Sequence, residues 1–217
     1  MGRAARIAAP PLASSLEELI ERARALARRG PRRLLGITGA PGAGKSHLAA
    51  AIARELGADA AVVAMDGFHL ANRELVRLGR RERKGAPDTF DAAGYVALLR
   101  RLRDGGETVY VPCFERELEE PVAATVAVDP AVPLVVTEGN YLLVDSPPWA
   151  DVGPLLDETW FCDPEQEMRF DRLVARHEAY GKTTDEARAW ALGSDERNAR
   201  LVAATRPRAD LVVRLAA

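Results

Sequence analysis

Short apolar runs alternate with amphipathic stretches along nearly the whole chain. Residues 33–38, 61–65, 108–111, 133–138, 159–162 and 209–215 read as strands, each too short and too apolar for a surface helix. Residues 122–128 read as an edge strand or a hairpin arm. Between them the spacing turns helical. Leu16, Leu19, Ile20, Ala23, Leu26 and Ala27 form one stripe, entered through the capping-box pattern Ser14-Ser15-Leu16-Glu17 and stopped at Gly30-Pro31. Further helices are expected over 47–57, 71–78, 164–179 and 195–204, and from an Asp91 cap to Arg103, closed by Gly105-Gly106. Strands alternating with helices predict an α/β fold: three layers, with a mostly parallel sheet covered by helices on both faces. Residues 1–13 read as a flexible tail and 14–217 as a single domain.

The first turn between strand and helix is the most specific segment. Gly39-Ala40-Pro41-Gly42-Ala43-Gly44-Lys45-Ser46 follows the pattern G-x-x-x-x-G-K-S, with an apolar strand before it and an Ala-rich helix after it. Glycines let successive backbone N–H groups turn inward toward phosphate oxygens, and the helix N-terminus adds partial positive charge. Gly39 to Ser46, with His47 beside them, are therefore expected to bind the phosphates of a nucleoside triphosphate. Lys45 reaches the β- and γ-phosphates in this reading, and the Ser46 hydroxyl ligates Mg2+.

Other polar motifs stand where strands end, the edge at which open parallel sheets bind ligands. Asp66 follows the 61–65 run within Met65-Asp66-Gly67-Phe68-His69. It is placed to take a proton from an attacking hydroxyl, though an Asp here also suits a helix cap or turn. Glu138 ends the 133–138 strand and is the expected second Mg2+ residue. Glu115 and Arg116 leave the strand at 108–111 and read either as substrate contacts or as a charged loop. Arg169, Arg172 and Arg176 share one helix face, suited either to a transferring phosphoryl group or to salt bridges with Glu165, Glu167 and Asp171. The basic run 77–85 reads as a substrate loop or solvated surface, and His177 as a structural or exposed helix residue.

Composition narrows the partners. Thirty basic and 32 acidic side chains give a net charge of −2, which argues against a general nucleic-acid or membrane binder. No apolar run reaches the length of a membrane span, and the first residues lack a signal-peptide core. The two cysteines, Cys113 and Cys162, lie far apart and build neither a disulfide framework nor a metal cluster. A cytoplasmic protein is expected. None of the three lysines stands in an N-K-x-D guanine-reading motif.

Together these residues resemble the P-loop kinases of the phosphoribulokinase, uridine kinase and type I pantothenate kinase family. The resemblance runs from about Leu34 to Leu215 and is nearest to bacterial nucleoside/nucleotide kinase-like proteins associated with fructose transport. It rests on Gly39 to Ser46, Asp66-Gly67-Phe68, the segment Lys84-Gly85-Ala86-Pro87-Asp88-Thr89-Phe90-Asp91, Pro112-Cys113-Phe114-Glu115-Arg116, Glu138-Gly139 and the arginines Arg172 and Arg176. It implies an ATP- and Mg2+-dependent kinase acting on a hydroxyl of a small metabolite such as a sugar, nucleoside or pantothenate-like compound. It further implies Asp66 as general base, a small helical lid over about 164–195 carrying Arg172 and Arg176, and acceptor contacts from Phe68, His69, Lys84, Glu115 and Arg116. Relatives often dimerise, so a homodimer is possible. Glu115 stands where relatives more often carry Asp, and Arg116 where pantothenate kinases carry His. The competing expectation is a nucleotide-gated regulatory or assembly protein that hydrolyses ATP slowly.

Overall fold

The computed structural model describes residues 12–13, 15–181 and 183–215. Its main sheet has six parallel strands: β1 (Leu12–Ala13), β2 (Arg33–Gly39), β3 (Ala60–Ala64), β6 (Leu134–Gly139), β7 (Glu158–Cys162) and β8 (Leu211–Val213). Their spatial order is β1-β8-β7-β2-β6-β3, which sets β2 between β6 and β7. The other strands, β4 (Val109–Glu115) and β5 (Glu120–Val128), form a separate antiparallel hairpin.

Successive strand residues feed opposite layers. In β2, Leu34 joins one apolar cluster while Leu35 and Ile37 join the other; in β6, Val135 opposes Leu134 and Val136 in the same way. One face is covered by α1 (Leu16–Ala27) and α2 (Lys45–Leu56), through Leu19, Leu26, Leu48 and Ile52. The other is covered by α4 (Ala92–Asp104) and the hairpin, through Tyr95, Leu99, Val109 and Val128. This double cover is why the central strands are apolar at consecutive positions. A buried ligation fixes the β7–β8 end: the Asp210 carboxylate accepts from the Thr159 N–H and hydroxyl, both at 2.8 Å.

Three expectations shift. The strand read at 108–111 extends to Glu115 but lies outside the parallel sheet, because a short turn supplies β5 as a local antiparallel partner. Its residues announce this: Val109 and Val111 are buried while Tyr110 between them is exposed, the alternation of a strand covered on one face. At the start of the chain, residues 1–11 lie outside the described residues, and Leu12–Ala13 pair with Val212–Val213. The α1 cap is Ser15, whose hydroxyl accepts from the Glu18 N–H, one residue beyond the Ser14–Glu17 pairing.

Between β7 and β8 the chain makes a helical excursion: α5 (Gln166–Ala179), α6 (Thr184–Trp190), a π-helical turn at Ala191–Asp195, and α7 (Glu196–Ala203). The remaining helix, α3 (Asn72–Arg77), follows β3. Sequence spacing did not reveal α6, yet it carries its own signal, a capping box between Thr183 and Glu186.

Asp210→Ala removes the acceptor of two buried hydrogen bonds. It should destabilise the fold by about 2–3 kcal/mol, read from a urea unfolding curve against wild type.

Candidate active site

The C-terminal ends of β2, β3 and β6 open into a cleft of about 440 Å³ lined by Lys45, Ser46, Asp66 and Glu138 among others. The strand register brings these groups together. Ile37 lies opposite Glu138 in the β2–β6 pair, and Ala64, the last residue of β3, lies opposite Glu138 on its other side. The Ser46 hydroxyl then donates to Glu138 Oε1 at 2.9 Å, and the Lys45 ammonium donates to the Ala40 carbonyl at 3.0 Å within the loop.

The charges here are costly to bury and offset one another. Burial raises the Glu138 carboxyl above its ordinary value, and the Asp66 carboxylate raises it further, while Lys45 and the Ser46 hydroxyl pull it back. Burial lowers the Lys45 ammonium, against the pull of Glu138 and Asp66. A hydroxyl and a carboxylate side by side suit Mg2+, a hard ion that keeps several waters and takes its other oxygens from phosphates. Among the described residues no cluster of three or more His, Cys, Asp or Glu is arranged to hold a metal.

Helix α5 presses on the glycine loop. A Cβ on Gly42, whose φ is +80°, would lie 2.7 Å from the Arg169 carbonyl oxygen and 2.8 Å from Leu173 Cγ. Arg169 is buried; its guanidinium donates to the Pro41 carbonyl at 3.3 Å and pairs with Glu196 at 2.6 Å. Of the three arginines on this face, Arg169 therefore ties the loop to the helices. Arg172 is exposed and reaches over Gly44, its Nη1 3.5 Å from where a Cβ would sit, and Arg176 lines the cleft.

The hairpin supplies the opposite wall. Gly67 allows its approach: a Cβ there would lie 2.2 Å from the Pro112 carbonyl oxygen. Arg116, just past β4, sets Nη2 3.6 Å from Asp66 Oδ2. His69 lies between Phe90 and Phe114, with ring centroids 4.0 and 4.7 Å away. Burial lowers its pKa, so the ring is neutral at pH 7, and its Nδ1–H donates to the Asp66 carbonyl at 2.8 Å. Nε2 is left as an acceptor.

Of the residues expected to contact an acceptor, His69, Lys84 and Arg116 line the cleft. Phe68 instead turns into the core, 5.2 Å from the Tyr95 ring, and Glu115 stands opposite Glu120 in the last hairpin rung; neither lines the cleft. His47 is exposed on α2 and is likewise not among the lining residues. His177, read as structural or exposed, lines the cleft and donates from Nε2 to Asp195 at 2.8 Å. Arg81, within the run read as a substrate loop or solvated surface, lines the cleft as well, while sequence reasoning missed Phe114, Tyr180, Trp190 and Asp195. Spacing gave no signal for the last three, which stand where elements end: Tyr180 caps α5, Trp190 ends α6 and Asp195 closes the π turn.

A central strand, glycine loop and helix, flanked by a strand ending in a buried acid, define a P-loop nucleotide-binding protein. The chain belongs to the phosphoribulokinase / uridine kinase family, whose family model matches residues 34–216, and is a P-loop ATP-dependent kinase of that family. It is 34% identical over 189 residues to the "Putative uridine kinase" of Schizosaccharomyces pombe, covering 82% of this chain and 80% of that one. An "ATP-dependent kinase-like protein" of Aspergillus versicolor is 35% identical over 133 residues, 58% of this chain and 77% of the relative. The crystal structure of a "putative fructose transport system kinase" from Silicibacter sp. TM1040 superposes with a TM-score of 0.80 at 38% identity, covering 92% of this chain and 99% of that one. Among the described residues no helix is long and apolar enough to cross a membrane.

Gly67→Ala forces the hairpin away from the strand ends. It should cost about 1–3 kcal/mol of stability in a urea melt, the range for overpacking a tight contact.

Proposed function

We propose that the protein transfers the γ-phosphoryl group of Mg·ATP to a hydroxyl of a small metabolite, with Asp66 as general base. The observation that carries this reading is the position of Asp66, at the end of β3 in the same cleft as Lys45, Ser46 and Glu138. A kinase needs a carboxylate between its phosphate cradle and an open acceptor space, whereas a nucleotide switch needs none.

In this reading Lys45 and the loop amides hold the triphosphate, and Ser46 and Glu138 hold Mg2+, which neutralises phosphate charge when bound. Arg116 orients the Asp66 carboxylate. The acceptor oxygen attacks phosphorus, its proton passes to Asp66, and the bond to the ADP oxygen breaks with its electron pair leaving on ADP. Arg172 and Arg176 stand on α5 as the lid cations that offset charge spreading over the transferred group. Positioning and charge compensation dominate, because the transition state for phosphoryl transfer is loose.

The test is ADP release from Mg·ATP with a panel of acceptors. Fructose and uridine belong in it, since proteins similar to this chain carry names for kinases of those kinds. Asp66→Asn should bind ATP as wild type does and lose acceptor-stimulated turnover by about a hundredfold or more. Full activity in that variant would remove Asp66 as the base. Slow hydrolysis that no acceptor stimulates and the substitution does not change would favour the regulatory alternative.

A further inference from the structure

The cleft is lined by cations that nucleotide handling does not use. Beyond Lys45 and Arg176, the cations Arg81, Lys84 and Arg116 also line it. Two of them flank one ring: Lys84 Nζ lies 4.9 Å from the Phe114 centroid and Arg116 Cζ lies 5.9 Å from it. Lys84 donates to the Asn72 side-chain oxygen at 2.8 Å and to the Glu119 carbonyl, neither of them a carboxylate. Among the described residues no carboxylate comes within ion-pair distance of Lys84 or Arg81, and Arg116 meets only Asp66, at 3.6 Å. Glu117 and Glu119 line the same cleft without pairing to any of the three. Burial lowers the Lys84 ammonium and the Arg81 charge lowers it further, with Glu119 and Glu120 opposing.

Like charges held together and half out of water are unfavourable unless an anion completes them. These are held deliberately. The segment carrying Lys84 is gripped at the Gly85 carbonyl by the Tyr141 hydroxyl and by the Asn198 amide at 3.3 Å, and at the Pro87 carbonyl by Trp149 Nε1 at 3.2 Å. Its cations are therefore pre-positioned before any ligand arrives, and Arg116 is tethered to Asp66 on the side where a hydroxyl must react.

We propose that the phosphoryl acceptor is a small hydroxylated metabolite bearing a carboxylate or phosphate group, held by Arg81, Lys84 and Arg116 while its hydroxyl meets Asp66. This deepens the kinase reading of the cleft and rests on it. A neutral sugar or nucleoside leaves Arg81 and Lys84 with no carboxylate at ion-pair distance among the described residues, so the anionic member of any chemically matched pair is preferred.

Isothermal titration of the full chain, loaded with Mg2+ and a non-hydrolysable ATP analogue, tests it with two matched pairs: fructose against fructose 6-phosphate, and glycerol against glycerate. In at least one pair the anionic probe should bind about tenfold or more tighter than the neutral one, since one charge-assisted contact supplies that factor. Added salt should narrow the gap, and the pair that shows it tells phosphate from carboxylate. Arg81→Gln and Lys84→Gln should each reduce the preference, with nucleotide affinity measured alongside to report that each variant is folded. Equal binding of neutral and anionic probes, no binding of either anionic probe, or a preference untouched by both substitutions overturns the proposal. ADP release with the same probes separates the two readings. Release with neutral probes alone keeps the kinase and overturns the anionic acceptor. Anion preference with no release from any probe supports the anion site and counts against phosphoryl transfer to the probe held there.

Discussion

Ile37 of β2 faces Glu138 of β6 across the parallel ladder, and that pairing sets the chemistry of the cleft. It places a carboxylate from one strand 2.9 Å from the hydroxyl that opens the next helix, with the Lys45 ammonium one residue away. A slip of one residue would turn the Glu138 side chain to the other face of the sheet and leave both Lys45 and Ser46 without it. The register is held by the apolar clusters above and below, not by the polar groups themselves, which burial disfavours. The core thus compels an arrangement of charges that the charges alone would not adopt.

Two packed contacts then turn a nucleotide cradle into an enclosed cleft. Gly67 lets the hairpin lie against the end of β3, which brings Phe114 and Arg116 toward Asp66 and His69. On the opposite side Gly42 lets α5 lie against the glycine loop, with the buried Arg169 bridging the Pro41 carbonyl and Glu196. In each case the absence of a side chain is what permits the wall. The motif glycines therefore shape the cleft by close approach as well as by backbone turning.

The two ends of the cleft differ in how their charges are compensated. Near the glycine loop, Lys45 has Glu138 and Asp66 to offset it. Around Phe114, Arg116 meets Asp66 and Lys84 feels Glu119 and Glu120 without a carboxylate at ion-pair distance among the described residues, and the ring offers both cations its face. That asymmetry follows from the chain's route: the loop with Arg81 and Lys84 and the tip of the hairpin converge from segments about thirty residues apart, each carrying its own charges to a shared wall.

Much of this was legible in the residues. Gly39 to Ser46 between an apolar run and an Ala-rich helix specified the glycine loop that joins β2 to α2, because local backbone geometry alone demands those residue types. Asp66 and Glu138 stood at the ends of apolar runs, and strand ends in a parallel sheet converge on one edge. The alternation in β4 even marked it as a strand covered on one face, though its departure from the sheet was not read from it. What the sequence could not determine was which side chains from distant segments face one another. Phe68 and His69 are neighbours, yet one enters the core and the other the cleft. Arg169 and Arg176 share a helix face, yet one is buried as a brace and the other lines the cleft. Those outcomes depend on how α5, the hairpin and the π turn pack against the sheet edge. Packing is a sum over contacts between segments far apart in the chain, and no local spacing encodes it.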